Sequence, residues 1–394
     1  MQYNVDMFWI SSIFAKIIFF LIKIFKFGNG YTLPGHLAQK IYPDIWRSPT
    51  LQNFNNIILV SGTNGKTTTA KLITHLLVKN GFSVISNASG ANLVNGLLSS
   101  LLVQTSFFGR IQADLAVFEV DELNLPLVLQ HLTPKAIVLT NLSRDQLDRY
   151  GEVDNIFESW KMSLEKLSFF HNPHKNTLPT IFINSDFPKK AELLKNFKGK
   201  VLTFDSSPNN LKNTSLVGKF NALNVNAAVL TATQLGLDIE KITASLASFS
   251  PAFGRGEVIS YKNTDFYLFL AKNPASFNNN LELLVVNEVS AEAVVFILND
   301  NIPDGRDVSW IYDIDSHLLK DACFNKKVFV SGNRALDMEI RLFYAGIPEV
   351  TLLPSLNETS LENLIHLQSE KIAVLPNYSA MLDFRKLVTG RNIL

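Results

Sequence analysis

Residues 57–69 read IILVSGTNGKTTT. The first five residues suit a buried strand. GTNG is a turn with a glycine at each end, and the threonines open a stretch, AKLITHLLVKNG, with helical spacing. A strand, a glycine-bearing loop and a helix in that order make a phosphate-binding loop. Its backbone N–H groups and the helix N-terminus cradle anionic oxygens. Lys66 is placed to neutralise β/γ-phosphate oxygens, and the Thr67 hydroxyl to hold Mg²⁺. Gly62, Thr63, Asn64, Gly65, Lys66, Thr67 and Thr68 are therefore the expected nucleotide-phosphate residues. The spacing is shorter than GxxxxGK[ST] unless Val60 or Ser61 is counted into the loop. A glycine-rich turn with an incidental lysine is the alternative, and it must explain why motif, strand and helix coincide.

Outward from this loop the chain alternates. FSVISN, ADLAVFEVDE, AIVLTNL, TIFINSD and KVLTFD read as strands, separated by helical stretches over 93–104, 123–131 and 154–168. The run KFNALNVNAAVLTATQLG reads as a long helix. Such alternation predicts a mostly parallel sheet covered by helices. SPAFGRGE (250–257) carries Gly and Pro and reads as a domain junction. Beyond it a second alternation begins with FYLFLA and ends with KIAVLP. The expected organisation is an N-terminal helix over 1–30, a central ATP-binding domain over 31–250, and a smaller α/β domain over 251–394.

The chain has 394 residues, enough for two or three domains. It is 47% hydrophobic and 18% charged, which excludes global disorder. The 36 Lys+Arg against 35 Asp+Glu leave no overall field to attract nucleic acid. One cysteine, Cys323, excludes an internal disulfide framework and a Cys-rich zinc site. Low charge and 29 Phe point to an apolar surface. Residues 7–27, MFWISSIFAKIIFFLIKIFKF, supply one. At 100° per residue Ser12, Lys16 and Lys23 form a narrow stripe on an otherwise apolar helix, the pattern of a helix lying in a membrane interface. A transmembrane anchor and a buried core helix stay open as alternatives. No A-x-A cleavage site follows, so a signal peptide is not expected.

GTNGKTTT resembles the ATP-binding loop of the Mur ligase and folylpolyglutamate synthase superfamily. SNASGANLVNG (86–96), FEVDE (118–122), TNLSRDQLDRYGE (140–152), GKFNALNVNAA (218–228) and GRGE (254–257) resemble further superfamily segments, in the same order. Within it, KNPASFN, LNDNIPDGRDVSWIYDID, SGNRALDMEIRLFYAGI and LPNYSAMLDFRKL resemble the MurT family, the Mur ligase-like subunits of lipid II isoglutaminyl synthase. The resemblance runs from about residue 30 to the C-terminus. It implies a P-loop Mur ligase central domain, with a mostly parallel sheet flanked by helices, plus a Rossmann-like α/β C-terminal domain. It also implies ATP-dependent activation of the α-carboxylate of D-glutamate in the stem peptide of lipid II. A GatD-like glutaminase subunit would deliver ammonia to give D-isoglutamine. The expected place is the cytoplasm, at the inner face of the cell membrane.

The resemblance also carries residue roles. An acyl phosphate route asks for phosphate positioning, Mg²⁺ and charge neutralisation rather than a protein nucleophile. Glu119 is expected to bind Mg²⁺ with Thr67. In a continued strand Glu119 and Asp121 share a face and Glu122 points away; Asp121 and Glu122 could equally be charges at a helix N-terminus. Asn141, Arg144, Asp145 and Asp148 fall on the loop implied to meet a second metal and the acyl phosphate. Gln146 stands where Mur ligases usually carry His, and it is a weaker ligand. Lys161 is the positional match to a carbamylated lysine, or else a surface lysine. Asn221, Arg255, Lys272 and Asn273 are implied nucleotide contacts; Asn221 and Asn224, one turn apart, share a helix face.

NDNIPDGRDVSWIYDID holds Asp300, Asp304, Asp307, Asp313 and Asp315. The family implies that one of them completes the partner's glutaminase triad, orienting its imidazole. Asp307 is the expected one, with Asp304 and Asp313 behind it; turn and cap roles account for the others. Many family members carry a four-cysteine zinc ribbon. The matching stretch here (183–220) has no cysteine, so no zinc is expected. Two other functions compete: a stand-alone Mur- or folylpolyglutamate-type amino-acid ligase, and a non-catalytic nucleotide-binding scaffold at the membrane.

Overall fold

The structure, a computed structural model, describes residues 2–25, 31–87, 91–106, 109–143, 153–169, 178–251, 253–353, 356–365 and 370–390. They fall into two compact units. The first runs to Leu142 and continues over Val153–Ser215 and Asn221–Phe249. The second is built from Leu216–Phe220 and the chain from Ser250 onward.

In the first unit the elements are α1 (Gln2–Phe25), α2 (Leu33–Ile41), α3 (Pro49–Asn53), β1 (Ile57–Ser61), α4 (Lys66–Lys79), β2 (Val84–Ser86), α5 (Val94–Val103), β3 (Leu115–Val120), α6 (Leu125–His131), β4 (Ala136–Leu139), α7 (Val153–Phe169), β5 (Thr180–Asn184), α8 (Lys190–Leu193), β6 (Val201–Phe204), α9 (Lys219–Gln234) and α10 (Ile239–Leu246). The strand order is β2-β3-β1-β4-β5-β6, and every pairing is parallel. All five residues of β1 are buried, as a central strand covered on both faces requires. The chain leaves β1 toward β2 and β3, and leaves β4 toward β5 and β6. The carboxyl ends of β1 and β4 therefore flank a topological switch point, where open α/β sheets place ligands.

The second unit contains β7 (Arg255–Tyr261), β8 (Thr264–Phe269), α11 (Pro274–Val285), β9 (Ala293–Ile297), α12 (Ser316–Cys323), β10 (Lys327–Ser331), α13 (Ala335–Tyr344), β11 (Thr351–Leu352), α14 (Glu358–Ile365), β12 (Lys371–Pro376) and α15 (Tyr378–Thr389). Its sheet order is β11-β10-β9-β12-β8-β7, parallel except for the β7–β8 hairpin. Successive residues of β9 serve opposite faces. Val294 and Phe296 pack with Phe277, Trp310 and Met338; Val295 and Ile297 pack with Leu361, Leu364 and Phe384.

The sequence reading missed β7, α10 and α15. Arg255 opens a strand where a junction was expected. Its hairpin turns on Lys262 and Asn263, with φ of 47° and 65°, the left-handed pair that a two-residue turn demands. The ends of the missed helices were legible. Asp238 accepts from the Glu240 N–H at 2.8 Å, and Gly390 closes α15 with φ 65°.

The sequence left open which face of α1 is covered, and the structure decides it. The stripe holding Ser12 and Lys16 faces the protein. Ser12 Oγ donates to Leu102 O at 3.2 Å and shares a short hydrogen bond with Thr105 Oγ1. Lys16 Nζ donates to the Thr105 and Ser106 carbonyls beyond the end of α5. Burial there pulls Lys16 below the ordinary lysine range. Phe8, Ser11, Ala15 and Ile22 are buried beside them, and the large apolar side chains on the opposite face are exposed.

Candidate functional site at the end of the first parallel sheet

The loop between β1 and α4 can close only because of its glycines. Gly62 has φ 138° and Gly65 φ 85°, both in the region that favours glycine. A Cβ on Gly62 would lie 2.2 Å from Thr140 Oγ1, and one on Gly65 would lie 2.3 Å from Asn224 Oδ1. The loop is pinned to the end of β4. Thr63 N donates to Asn141 O at 3.0 Å, and Asn64 N to Asn141 Oδ1 at 2.9 Å. Asn141 Nδ2 returns a bond to Asn64 O at 2.9 Å, and Thr140 Oγ1 donates to the same carbonyl at 2.7 Å. The first-turn amides of α4 point out of its N-terminus, which carries positive partial charge.

Lys66 is buried, at 7% exposure, and so is Glu122, at 2%. Lys66 Nζ donates to Glu122 Oε2 at 2.8 Å, to Thr63 O at 3.0 Å and to Gly62 O. These three acceptors match the three protons of an ammonium. Glu122 was expected to point away, but β3 ends at Val120. Strand alternation stops there, and the following turn brings Glu122 back to the loop. Trp160 Nε1 on α7 fixes that turn by donating to Glu122 O at 2.7 Å. Asp121 does turn work: its Oδ1 accepts from Leu123 N and Asn124 Nδ2, both at 3.2 Å. Glu119 is half-buried next to Val60 in the register. Its backbone N–H and C=O are both held by the Asn87 side chain, at 2.9 and 2.8 Å.

Asn221 and Asn224 do share a face of α9. Asn224 Nδ2 donates to Asn221 Oδ1, and Thr69 Oγ1 donates to Asn224 Oδ1, both at 3.2 Å. Thus α9 touches α4 within its first turn. Lys161 Nζ donates to Glu192 at 2.9 Å and lies 3.5 Å from Glu158. Its hydrogen bond to Glu192 is the main cause that raises its pKa, which favours the ammonium form. Arg144, Asp145, Gln146 and Asp148 lie outside the described residues.

The chemistry of this loop suits the phosphates of ATP, since a glycine-built turn opens a helix N-terminus with a buried lysine beside it. The chemistry of Thr67, Glu119 and Glu122 fits a hard cation such as Mg²⁺. Among the described residues no group of three or more His, Cys, Asp or Glu is placed to hold a metal.

In the second unit Asn273 caps α11. Its Oδ1 accepts from Ser276 N at 2.8 Å, and its own N–H reaches Ser276 Oγ at 3.1 Å. Lys272 N donates to the same hydroxyl. Arg255 begins β7 in this unit. The five aspartates separate by environment. Asp315 caps α12 by accepting from His317 N and Leu318 N. Asp300 pairs with Arg334 at 3.3 Å. Asp304 is buried, and both its oxygens are taken by Ser379; burial raises its pKa. Asp307 is exposed, accepts from Ser309 N at 2.8 Å, and is held below the usual carboxylate range by its hydrogen bonds from Ser309. Asp313 is exposed as well. Cys323 is buried, and burial pushes its thiol up to about 12, so it packs rather than reacts.

The 309–313 turn that follows Asp307 rests on Arg341 of α13. This buried guanidinium donates to Ile311 O at 2.8 Å, to Ile314 O and to Ser316 Oγ at 3.0 Å. Arg341→Met should destabilise the protein by about 2–4 kcal/mol, because two carbonyls and a hydroxyl lose their donor. Urea melts of both proteins check this; an unchanged midpoint would refute the propping role. On its outer side α13 exposes Leu336, Ile340, Phe343 and Tyr344, an apolar stripe at positions i, i+4, i+7 and i+8.

The site residues that the sequence reading missed are Trp160, Asn87 and the Lys66–Glu122 pairing. Lys66 and Glu122 are separated by 56 positions, and Asn87 and Glu119 by 32, so no local pattern joins them.

Comparison with known proteins agrees with this architecture. The family described as Mur ligase middle domain matches residues 60–214, and that described as MurT ligase C-terminal matches residues 270–381. The MurT subunit of glutamine-hydrolyzing lipid II isoglutaminyl synthase from Staphylococcus aureus strain COL is 31% identical over 81% of this chain and 84% of its own length. The subunit of the same name from Streptococcus pneumoniae is 28% identical over 94% of each chain. Among solved structures, the MurF ligase of Thermotoga maritima, in complex with ADP, superimposes with a TM-score of 0.66 at 17% identity, over 90% of this chain and 85% of that one. Folylpolyglutamate synthase of Mycobacterium tuberculosis does so with a TM-score of 0.61 at 16% identity, over 90% of this chain and 94% of that one. These two likenesses establish the fold. With the sequence identity to the staphylococcal subunit added, the chain belongs to the MurT family of Mur ligase-like subunits.

Proposed function

We propose that this chain is the synthetase subunit of a glutamine-hydrolysing lipid II isoglutaminyl synthase. It amidates the α-carboxylate of D-glutamate in the stem peptide, at the cytoplasmic face of the membrane. The observation that carries the reading is the buried Lys66 ammonium at the head of a glycine-built phosphate loop, in a chain of the MurT family.

A carboxylate is a poor electrophile. One of its oxygens attacks the γ-phosphorus of ATP; the bond to the bridging oxygen breaks and ADP departs. The nitrogen of ammonia then attacks the acyl carbon, phosphate leaves, and the surplus nitrogen protons pass to solvent. This chemistry needs charge neutralisation and alignment. Lys66 supplies a cation at the loop, the α4 N-terminus supplies oriented amides, and Asn141 fixes the loop in place. Mg²⁺, held by Thr67 with Glu119 or Glu122, would withdraw charge from the phosphate oxygens when bound. Asp145 belongs to the same proposal by its place in the sequence. So does the assignment of Asn221, Arg255, Lys272 and Asn273 to the nucleotide. The capping role of Asn273 means that its backbone, more than its side chain, is available there.

Ammonia would come from a GatD-like glutaminase partner. Two observations support a partner on the second unit. Asp307 is an exposed, ionised carboxylate, and the turn that follows it is propped by α13, whose outer stripe is apolar and exposed. The decisive assay supplies Mg-ATP and lipid II with glutamine, with and without the glutaminase, and measures D-isoglutamine by mass spectrometry. Amide formation only with the pair is expected. Failure of the pair, or ATP turnover driven by a free amino acid, would favour the stand-alone ligase.

A further inference from the structure

We propose that α1 docks this protein flat on an anionic lipid bilayer through its exposed apolar face, without crossing it. This deepens the membrane-side placement proposed above and is independent of the reaction. Ile10, Phe14, Ile17, Phe20, Leu21 and Ile24 are each 38–62% exposed, and Trp9 stands at the edge of the same face. At 100° per residue they occupy an arc of roughly 140°. From Trp9 to Ile24 no hydrogen-bonding side chain other than the indole of Trp9 falls within it. Protein interfaces carry about one hydrogen bond per 100–200 Å², so a face this devoid of polar groups suits lipid better than a protein or a second copy.

Charge points the same way. From Met7 to Pro43, and again from Asn87 to Ala113, the sequence holds no Asp or Glu. Those two stretches, which contain α1 from Met7 onward, α2 and α5, carry Lys16, Lys23, Lys26, Lys40 and Arg110, against the single acidic residue Asp6 earlier in α1, while the whole chain is only +1. A locally cationic module with an apolar face complements an anionic headgroup layer.

The buried face decides between lying and spanning. Met7–Phe25 is long and apolar enough to cross a membrane. Crossing would require the helix to give up the Ser12 bonds to Leu102 and Thr105 and the Lys16 bonds to the Thr105 and Ser106 carbonyls. Ser11, Ser12 and Lys16 would then enter hydrocarbon, where polar and charged groups are costly. With Ser12 and Lys16 latched to the protein, and Lys23 exposed toward the end of the helix, α1 presents mainly its apolar half, the depth of an interfacial helix.

The test is co-sedimentation of the full chain with vesicles of phosphatidylcholine alone or with added phosphatidylglycerol. Binding is expected on the anionic vesicles, weakened by salt, and released by alkaline carbonate. Ile17→Asp with Leu21→Asp should lower vesicle affinity on the order of 100-fold. Its melting temperature and its nucleotide binding should not change. Three results would overturn the proposal: carbonate-resistant binding, which means a span; equal binding by the double variant; and no vesicle binding from a chain that forms a dimer broken by the double variant. Because the readout is sedimentation and not amidation, a failure here is distinct from a failure of the catalytic reading.

Discussion

Lys66→Ala should lower ATP-dependent amide formation about 10²–10³-fold, the scale seen when one preorganised charge-stabilising donor is removed. Lys66 is the cation at the head of the loop, buried where its charge is poorly screened. The same change leaves the Glu122 carboxylate buried without its partner, and breaking a buried ion pair costs about 3–5 kcal/mol. Loss of activity could therefore come from unfolding. Lys66→Met combined with Glu122→Gln separates the two effects, because it removes both charges and should regain most of the lost stability. If the double variant is as stable as the parent and still inactive, the loss comes from the missing charges of the loop and not from unfolding. If it recovers activity, Lys66 is a structural residue and the catalytic reading falls. Initial rates and urea melts on the three proteins decide this.

Asp307→Asn should abolish glutamine-dependent amidation, by about 10³–10⁴-fold, and leave the reaction with ammonium salts intact. The magnitude is that of losing the imidazole-orienting aspartate of a triad. The split follows from the proposal that Asp307 serves the partner's chemistry and not that of the phosphate loop. Asp307 is exposed, and its hydrogen bonds from Ser309 lower its pKa, which favours the carboxylate form. Asp304 is the contrasting case, with both oxygens spent on Ser379. Asp304→Asn should lower the melting temperature instead. Rates with glutamine and with ammonium, measured side by side on the complex, check the prediction. Full glutamine-dependent activity in Asp307→Asn, with its loss in Asp313→Asn, would transfer the role to Asp313.

Much of this molecule could be read from local pattern. The strand–loop–helix at 57–69, the two runs of alternating elements and the paired asparagines of α9 all appear at the expected places. Each depends on periodicity or on glycine positions, and both are properties of neighbouring residues. The one misplacement and the one open question share a cause. Glu122 was placed by continuing the alternation of β3 two residues too far, and the strand ends at Val120. The α1 stripe was read as the mark of an interfacial helix, with no neighbour assigned to either face. Composition gives two faces, and only the neighbours decide which face is covered.

By itself, then, the sequence determined the fold class, the position of the phosphate loop and the family, since all three are encoded in short ordered motifs. The tertiary structure alone decided that Lys66 meets Glu122, that Asp304 is spent while Asp307 stands exposed, and that α1 turns Ser12 and Lys16 inward. Each of those outcomes joins residues far apart in the chain. Their contact is fixed by where strands stop and helices pack, and desolvation then selects which polar groups must find a partner.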